Sequence, residues 1–174
     1  MATATRPMTA REAAVETAPT RGGRMSWLWA TPGDAGATAA RLMLGVVMFP
    51  HGAQKLLGWF GGYGFSGTMG YFTGTVGLPW IVAFLVIVAE FFGSLALVAG
   101  FLGRFAAAGI AAVMIGAIVT THLPYGFFMD WQNTLGGEGY EFHLLALGLA
   151  AVVLLRGSGA ASVDRRIARS LERA

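Results

Sequence analysis

The chain has 174 residues, of which 55% are hydrophobic and 12% charged, with a net charge of +3. Soluble domains carry roughly 25% charged residues, so the composition excludes an ordinary water-facing surface, and the length leaves no room for a second sizeable globular domain beside a membrane one. The absence of cysteine excludes a disulfide, a thiol relay or a cysteine-held iron–sulfur cluster built from this chain alone, and so small a net charge gives no basis for a nucleic-acid partner.

Residues 1–35 are rich in Thr, Ala, Pro and Arg (Arg6, Arg11, Arg21, Arg24) and read as a disordered N-terminal tail. No apolar core of signal-peptide length follows those arginines, so no cleaved signal is expected. Trp27, Leu28 and Trp29 form a short aromatic patch suited to lipid headgroups. Four apolar runs follow, at about 36–57, 80–101, 105–123 and 137–155. The apolar part of the fourth is short, and its start is assigned a turn earlier to reach membrane length. Each approaches the roughly 20 residues that a helix needs to cross a bilayer with its backbone satisfied. Period-2 alternation is absent, which argues against strands. Residues 58–77 hold eight glycines and six aromatics and read as a flexible loop over one mouth of the bundle. Residues 124–131 (PYGFFMDW) are similar. Trp59 and Phe127 from these loops are placed to roof a flat hydrophobic ligand such as a quinone, although an interfacial aromatic belt accounts for them as well. Residues 158–174 form a basic C-terminal tail.

Charge sets the direction. Arg24 and Arg41 precede or begin the first run, Arg104 sits in the tight second turn, and Arg156, Arg165, Arg166, Arg169 and Arg173 follow the fourth. The first long loop has no charge, and the second has only Asp130 and Glu138. The positive-inside rule then places both termini in the cytoplasm and both long loops outside. The expected fold class is an all-α, polytopic membrane four-helix bundle in the plasma membrane. Residues 36–157 are the membrane domain and the bilayer is its first partner.

With directions fixed, the polar residues fall into one half. Glu90 lies near the middle of the second run, where a carboxylate is costly and normally faces the protein interior with a partner or a function. His51 and Lys55 are four apart and share a face near the outer end of the first span, with Gln54 beside them. His122 closes the third span, and Glu141 and His143 open the fourth. Glu90 shares its face with Gly93 and Ser94, small residues that admit a close neighbouring helix, and its expected partners are His51 or Lys55. Glu141 and His143 lie about 200° apart on a helix. Glu141 is preferred for the pocket because it shares a face with Leu145 and Gly148. A small-residue stripe of Ala108, Ala112, Gly116 and Thr120 on the third span, and the 146–150 face of the fourth, read as tight helix packing. The candidate proton-handling cluster is Glu90, His51 and Lys55. The candidate cofactor-binding residues are His122, Glu141, Trp59 and Phe127. Haem is not expected, because its two axial ligands must face each other at matching depth and His122 lies near the surface. His51, Glu90, His122 and Glu141 are suitable ligand types for a metal, but no local spacing signature supports a metal site.

Several of these residues carry a family resemblance. His51-Gly52-x-x-Lys55-Leu56 resembles the HGxxK element of DoxX-like membrane proteins. Glu90, Gly93, Leu97, Gly100 and Arg104 resemble that family's second-helix motif. His122, Gly126 and Phe127 resemble its third-helix exit, and Gly139-Tyr140-Glu141 the start of its fourth helix. Gly157-Ser158-Gly159 with Ser162, Val163 and Asp164 resembles its post-helix signature. The resemblance spans about residues 36–166 and implies a four-helix membrane bundle associated with redox work. Some relatives are subunits of a thiosulfate:quinone oxidoreductase, and others are membrane partners of thiol- and superoxide-detoxifying enzymes. Three functional readings follow: a quinone-interacting oxidoreductase subunit, a non-enzymatic membrane anchor that docks soluble redox enzymes through residues 156–174, and a small-solute transporter. The transporter reading calls for a homo-oligomer.

Overall fold

The computed structural model describes residues 29–173. The disorder expected over residues 1–28, and the headgroup placement of Trp27 and Leu28, lie outside the described residues. Among the described residues the chain is helical with no strand: α1 Ala35–Leu57, α2 Gly64–Gly70, α3 Trp80–Ala99, α4 Gly103–Ala117, α5 Glu141–Arg156 and α6 Val163–Arg173. The four long helices pack in a ring, α1 against α3 and α5, and α4 against the same two. Leu44 and Met48 of α1, Leu97 of α3, Ile110 and Met114 of α4, and Ala146, Ala150 and Val153 of α5 fill the centre.

The outside of the ring is as apolar as its centre. Phe105, Leu145 and Leu155 are each more than 70% exposed, positions that a water-facing helix fills with polar side chains. Trp80–Ala99 and Gly103–Tyr125 are long and apolar enough to cross a membrane, with mean hydropathies of 2.6 and 1.8 over their most apolar stretches. Only 28% and 22% of those stretches are buried, whereas the core helix of a soluble protein is mostly buried. The chain is an all-α membrane protein whose outer face suits lipid.

Local chemistry sets the helix ends. Asp34 caps α1, its Oδ1 accepting from the N–H groups of Gly36 (2.8 Å) and Ala37 (3.2 Å). The Ala37 N–H and then Arg156, paired with it at 2.8 Å, hold the Asp34 carboxyl below the ordinary carboxylate range. Gly58 closes α1 at φ 73° and Gly100 closes α3 at φ 68°, left-handed conformations that only glycine adopts without cost. Leu102 opens α4 at φ 50°, a strain of about 1 kcal/mol for a residue with a Cβ. Asp164 holds that turn. It accepts from the N–H groups of Leu102 (2.7 Å) and Gly103 (3.0 Å) and from the Ser158 hydroxyl (2.6 Å). Arg41 ties the same end together. It donates to the carbonyls of Ser158 (2.8 Å), Val98 (2.7 Å), Ala161 (2.7 Å) and Leu97. We call this the arginine end.

These contacts correct the expected tails. Residues 157–164 belong to the bundle, with Ser158 and Asp164 each 1% exposed, because the carboxylate supplies the acceptor that the α3–α4 turn lacks. Likewise Trp29 packs against Phe101, and the Gly159 N–H donates to the Thr31 hydroxyl at 2.7 Å, so residues 29–34 are part of the fold. The glycine-rich loop is also organised. It forms a 3₁₀ turn (Trp59–Gly61), then α2, then a π turn (Tyr71–Thr75).

The small stripe on α4 is the clearest packing correction. Ala108, Ala112, Gly116 and Thr120 are exposed, while Ala107, Ile110 and Met114 face the centre. A run of small residues permits a close neighbour but does not place one. In this chain Ile110 and Met114, each two positions from a stripe residue, take the core together with Ala107.

Candidate functional site at the histidine end

At the opposite end from the arginines, the bundle gathers its lysine and all three histidines. Lys55 Nζ lies 2.6 Å from Glu90 Oε2, which brings together two of the three residues expected in the proton-handling cluster. Glu90 is 4% exposed, and the lysine side chain is 24% exposed. The contact is ionic rather than an aligned hydrogen bond, because Oε2 has no partner with hydrogen-bond geometry among the described residues. Lys55 Nζ also reaches the His51 carbonyl at 3.5 Å, the outer limit for such a bond. The lysine therefore bridges one turn of its own helix to the facing carboxylate.

Gly52 makes that reach short enough. A Cβ at residue 52 would sit 2.6 Å from the backbone N and Cα of Phe91 and 2.7 Å from the Glu90 carbonyl carbon. The α1 and α3 backbones thus touch one residue from the carboxylate. Gly45, one heptad earlier, meets the Ser94 carbonyl oxygen and Val98 in the same way. The expected spacer, Gly93, faces Ile110 and Ala106 of α4 at ordinary distances of 3.7 Å and more. The close seam is therefore made by glycines of α1. Pro50 lies inside α1, where it removes the N–H that the Val46 carbonyl would otherwise receive, one turn before the cluster.

His51 packs against Phe142, ring centroids 5.6 Å apart, and Phe142 in turn packs against His143 at 5.6 Å. His143 is 6% exposed, and its Nδ1 has no hydrogen-bond partner among the described residues. The His122 ring lies 4.1 Å from that of His143. His122 Nδ1 is 2.7 Å from the Glu138 carbonyl. A carbonyl only accepts, so that nitrogen carries hydrogen. Among the described residues no three His, Cys, Asp or Glu side chains converge as a metal site.

His143, not Glu141, is the inward residue of α5. The helix starts at Glu141 rather than near 137, because residues 126–141 are stitched by backbone bonds. The Tyr140 N–H donates to the Gly126 carbonyl (3.2 Å) and the Glu141 N–H to the Phe127 carbonyl (2.9 Å). Glu141 then turns back to the loop, its Oε1 accepting from the Met129 N–H at 3.1 Å. The face expected to pack is open, with Leu145 71% exposed and nothing within 4 Å of a Cβ at Gly148. The signal that finds His143 is its spacing. It lies three residues before Ala146 and seven before Ala150, on the buried face. Trp59 and Phe127 are exposed loop residues. The Trp59 ring packs edge-on against Phe60 at 6.3 Å, and the Phe127 ring against Phe128 (5.1 Å) and Tyr140 (5.7 Å). Neither ring contact is with the ion pair.

The family model described as DoxX matches residues 36–123, a span that includes both the His51-Gly52-x-x-Lys55 element and Glu90. The chain belongs to the DoxX family. The match ends at the close of the third long helix, so His143 and the Ser158–Asp164 segment lie beyond it. Two curated relatives resemble this DoxX protein over most of its length. "Inner membrane protein YqjF" of Escherichia coli (strain K12) is 30% identical over 132 residues, covering 76% of this chain and 92% of that protein. "Putative oxidoreductase CatD" of Bacillus subtilis (strain 168) is 28% identical over 112 residues, covering 64% of this chain and 73% of that protein. No solved structure gives a significant match.

Proposed function

We propose that this DoxX protein is a multi-pass plasma-membrane protein linked to redox metabolism. In this reading its histidine end takes a quinone or a similar small apolar molecule bearing carbonyl oxygens. The observation that carries the reading is the Glu90–Lys55 pair inside an apolar bundle at 2.6 Å, since intramembrane carboxylates that face the interior with a partner mark proton or ligand paths. Two buried polar atoms there, Glu90 Oε2 and His143 Nδ1, lack hydrogen-bond geometry to a described group. His143 Nδ1, when it carries the hydrogen, can donate to a ligand carbonyl, and Glu90 Oε2 can accept from a ligand hydroxyl, as in the reduced quinone. The oxidoreductase name carried by the Bacillus subtilis relative supports the same direction.

In this reading Glu90 holds or releases the proton that accompanies electron transfer. Lys55 places its positive charge beside the carboxylate, and His51 passes the proton toward the mouth. His143, one phenyl ring away from His51, orients the ligand oxygen. A quinone, when bound, takes up two electrons with two protons. The electrons enter from a partner or co-substrate, since the chain has no cysteine of its own.

Glu90→Gln keeps the side-chain shape and removes the titratable proton. It is expected to abolish quinone-dependent electron transfer in proteoliposomes while the thermal melt stays cooperative. Full activity in that variant would remove Glu90 from the mechanism. Lipid extraction of the purified protein for bound quinone checks the ligand class, and reporters fused to each terminus in turn check that both are cytoplasmic.

A further inference from the structure

We propose that the arginine end carries a binding site for a phosphate ester, separate from the histidine end and independent of its function. A cavity of about 530 Å³ opens between residues 30–33, the start of α4 and one face of α6. Arg104, Arg165 and Arg169 line it, and no carboxylate does. The described acids of this end are engaged elsewhere. Asp34 pairs with Arg156 at 2.8 Å, and Asp164 accepts from Leu102, Gly103 and Ser158. Arg165 and Arg169 therefore bring two guanidinium groups into one open space beside the carbonyl-held Arg104.

The arrangement is partly built before any ligand arrives. Arg104 is fixed by backbone carbonyls, its Nε donating to Leu154 at 3.0 Å and its Nη1 to Ala30 at 2.5 Å. Residue 33 is glycine where a side chain would run into the Arg165 guanidinium, so Arg165 lies directly across the 30–33 segment. Arg169 follows one helical turn later on α6 and is exposed. A guanidinium offers paired N–H donors that match two oxygens of one phosphate. The neighbouring surface says where such a group would come from. Phe105 and Leu155, each next in sequence to a residue of the Arg104 network, are 72% and 79% exposed and suit acyl chains. A phospholipid headgroup and a soluble phosphate share the chemistry that the cavity recognises.

The test uses the full chain in detergent. Phosphatidylglycerol binding is measured by native mass spectrometry, with diacylglycerol as the phosphate-free control, and inorganic phosphate is titrated against the thermal melt. The expected result is that Arg165→Gln/Arg169→Gln lowers phosphatidylglycerol affinity at least tenfold and leaves diacylglycerol unchanged. Arg156→Gln, which removes a cation outside the cavity, should match the native protein. A phosphate-dependent rise in Tm that the double variant loses, with no lipid effect, would assign the site to a soluble phosphate. If the glutamine variant fails to fold, Arg165→Lys/Arg169→Lys keeps the charge but loses the paired donors, and weaker binding is again expected. Equal effects of Arg156→Gln and the cavity variants, or no effect of the cavity variants on either ligand, would overturn the proposal.

Discussion

Gly52→Ala adds one methyl group at the place where α1 and α3 touch. Its Cβ would lie 2.6 Å from the Phe91 N and Cα, while relaxed carbon–carbon contacts begin at about 3.5 Å. The neighbouring atoms are backbone and cannot rotate away, so the helices must part by about 1 Å. Overpacking of this kind costs about 1–3 kcal/mol, and alanine recovers up to about 1 kcal/mol of helix propensity. The net loss is about 1–2 kcal/mol, a fall in Tm of about 2–8 °C for a chain of this size. The Lys55–Glu90 separation, 2.6 Å in the native chain, would grow to about 3.6 Å, and the Coulomb attraction falls by roughly a quarter. The assay is a thermal melt in detergent alongside the rate at which an amine reagent labels Lys55. Gly93→Ala is the matched control, because its nearest neighbour lies at 3.7 Å. Gly52→Ala should melt lower and label faster than both the native protein and Gly93→Ala. A Gly52→Ala variant that melts at or above the Gly93→Ala control would refute the seam.

The ion pair itself can be tested by a double-mutant cycle in denaturant. Lys55→Met leaves a 4%-exposed carboxylate without its cation and should cost about 2–3 kcal/mol, reduced from the fully buried case because the lysine is 24% exposed. Adding Glu90→Gln should recover at least half of that, and strictly additive losses would mean that the two groups do not interact. Asp164→Ala removes the acceptor for Leu102, Gly103 and Ser158 and should cost about 3–5 kcal/mol, read as the loss of a cooperative melt. Outside the membrane helices, burial pushes the Asp130 carboxyl up, but the N–H groups of Thr134, Leu135 and Gly136 outweigh it and hold it below the ordinary carboxylate value. Its contribution is therefore complete above the unfolded pKa, near 4, and is lost as pH falls through the lower folded value. Hydrogen exchange at Thr134 and Leu135 should accelerate only in that acidic range, and the Asp130→Asn variant should show no such step.

Hydropathy marked the apolar stretches from which α1, α3, α4 and α5 form, because it depends on the chain's own composition. The Glu90 partnership was legible too, since a four-residue spacing puts His51 and Lys55 on one face and only their helix carries cations at that end. Packing identity was less so. Gly52 was visible only as a motif letter, because which glycine touches which backbone depends on helix rotation. The same ambiguity put the Ala108–Thr120 stripe inside, where the structure has Ala107, Ile110 and Met114. His143 was passed over because Glu141 shares a face with Leu145 and Gly148, and spacing alone does not say which face of a helix turns inward. The buried face is the one that carries His143, Ala146 and Ala150. Asp164 was hidden differently, since a contact 62 residues away in sequence leaves no local periodicity.

That last contact has a consequence for biogenesis. The α3–α4 hairpin has Leu102 in a left-handed conformation and two N–H groups whose acceptor, Asp164, is translated some sixty residues after them. The turn therefore cannot be completed until residue 164 has been made. A ribosome that stalls, or a protease that clips, before residue 164 leaves the turn uncapped. The loss of residue 164 is in this way felt at the arginine end, some sixty residues back along the chain.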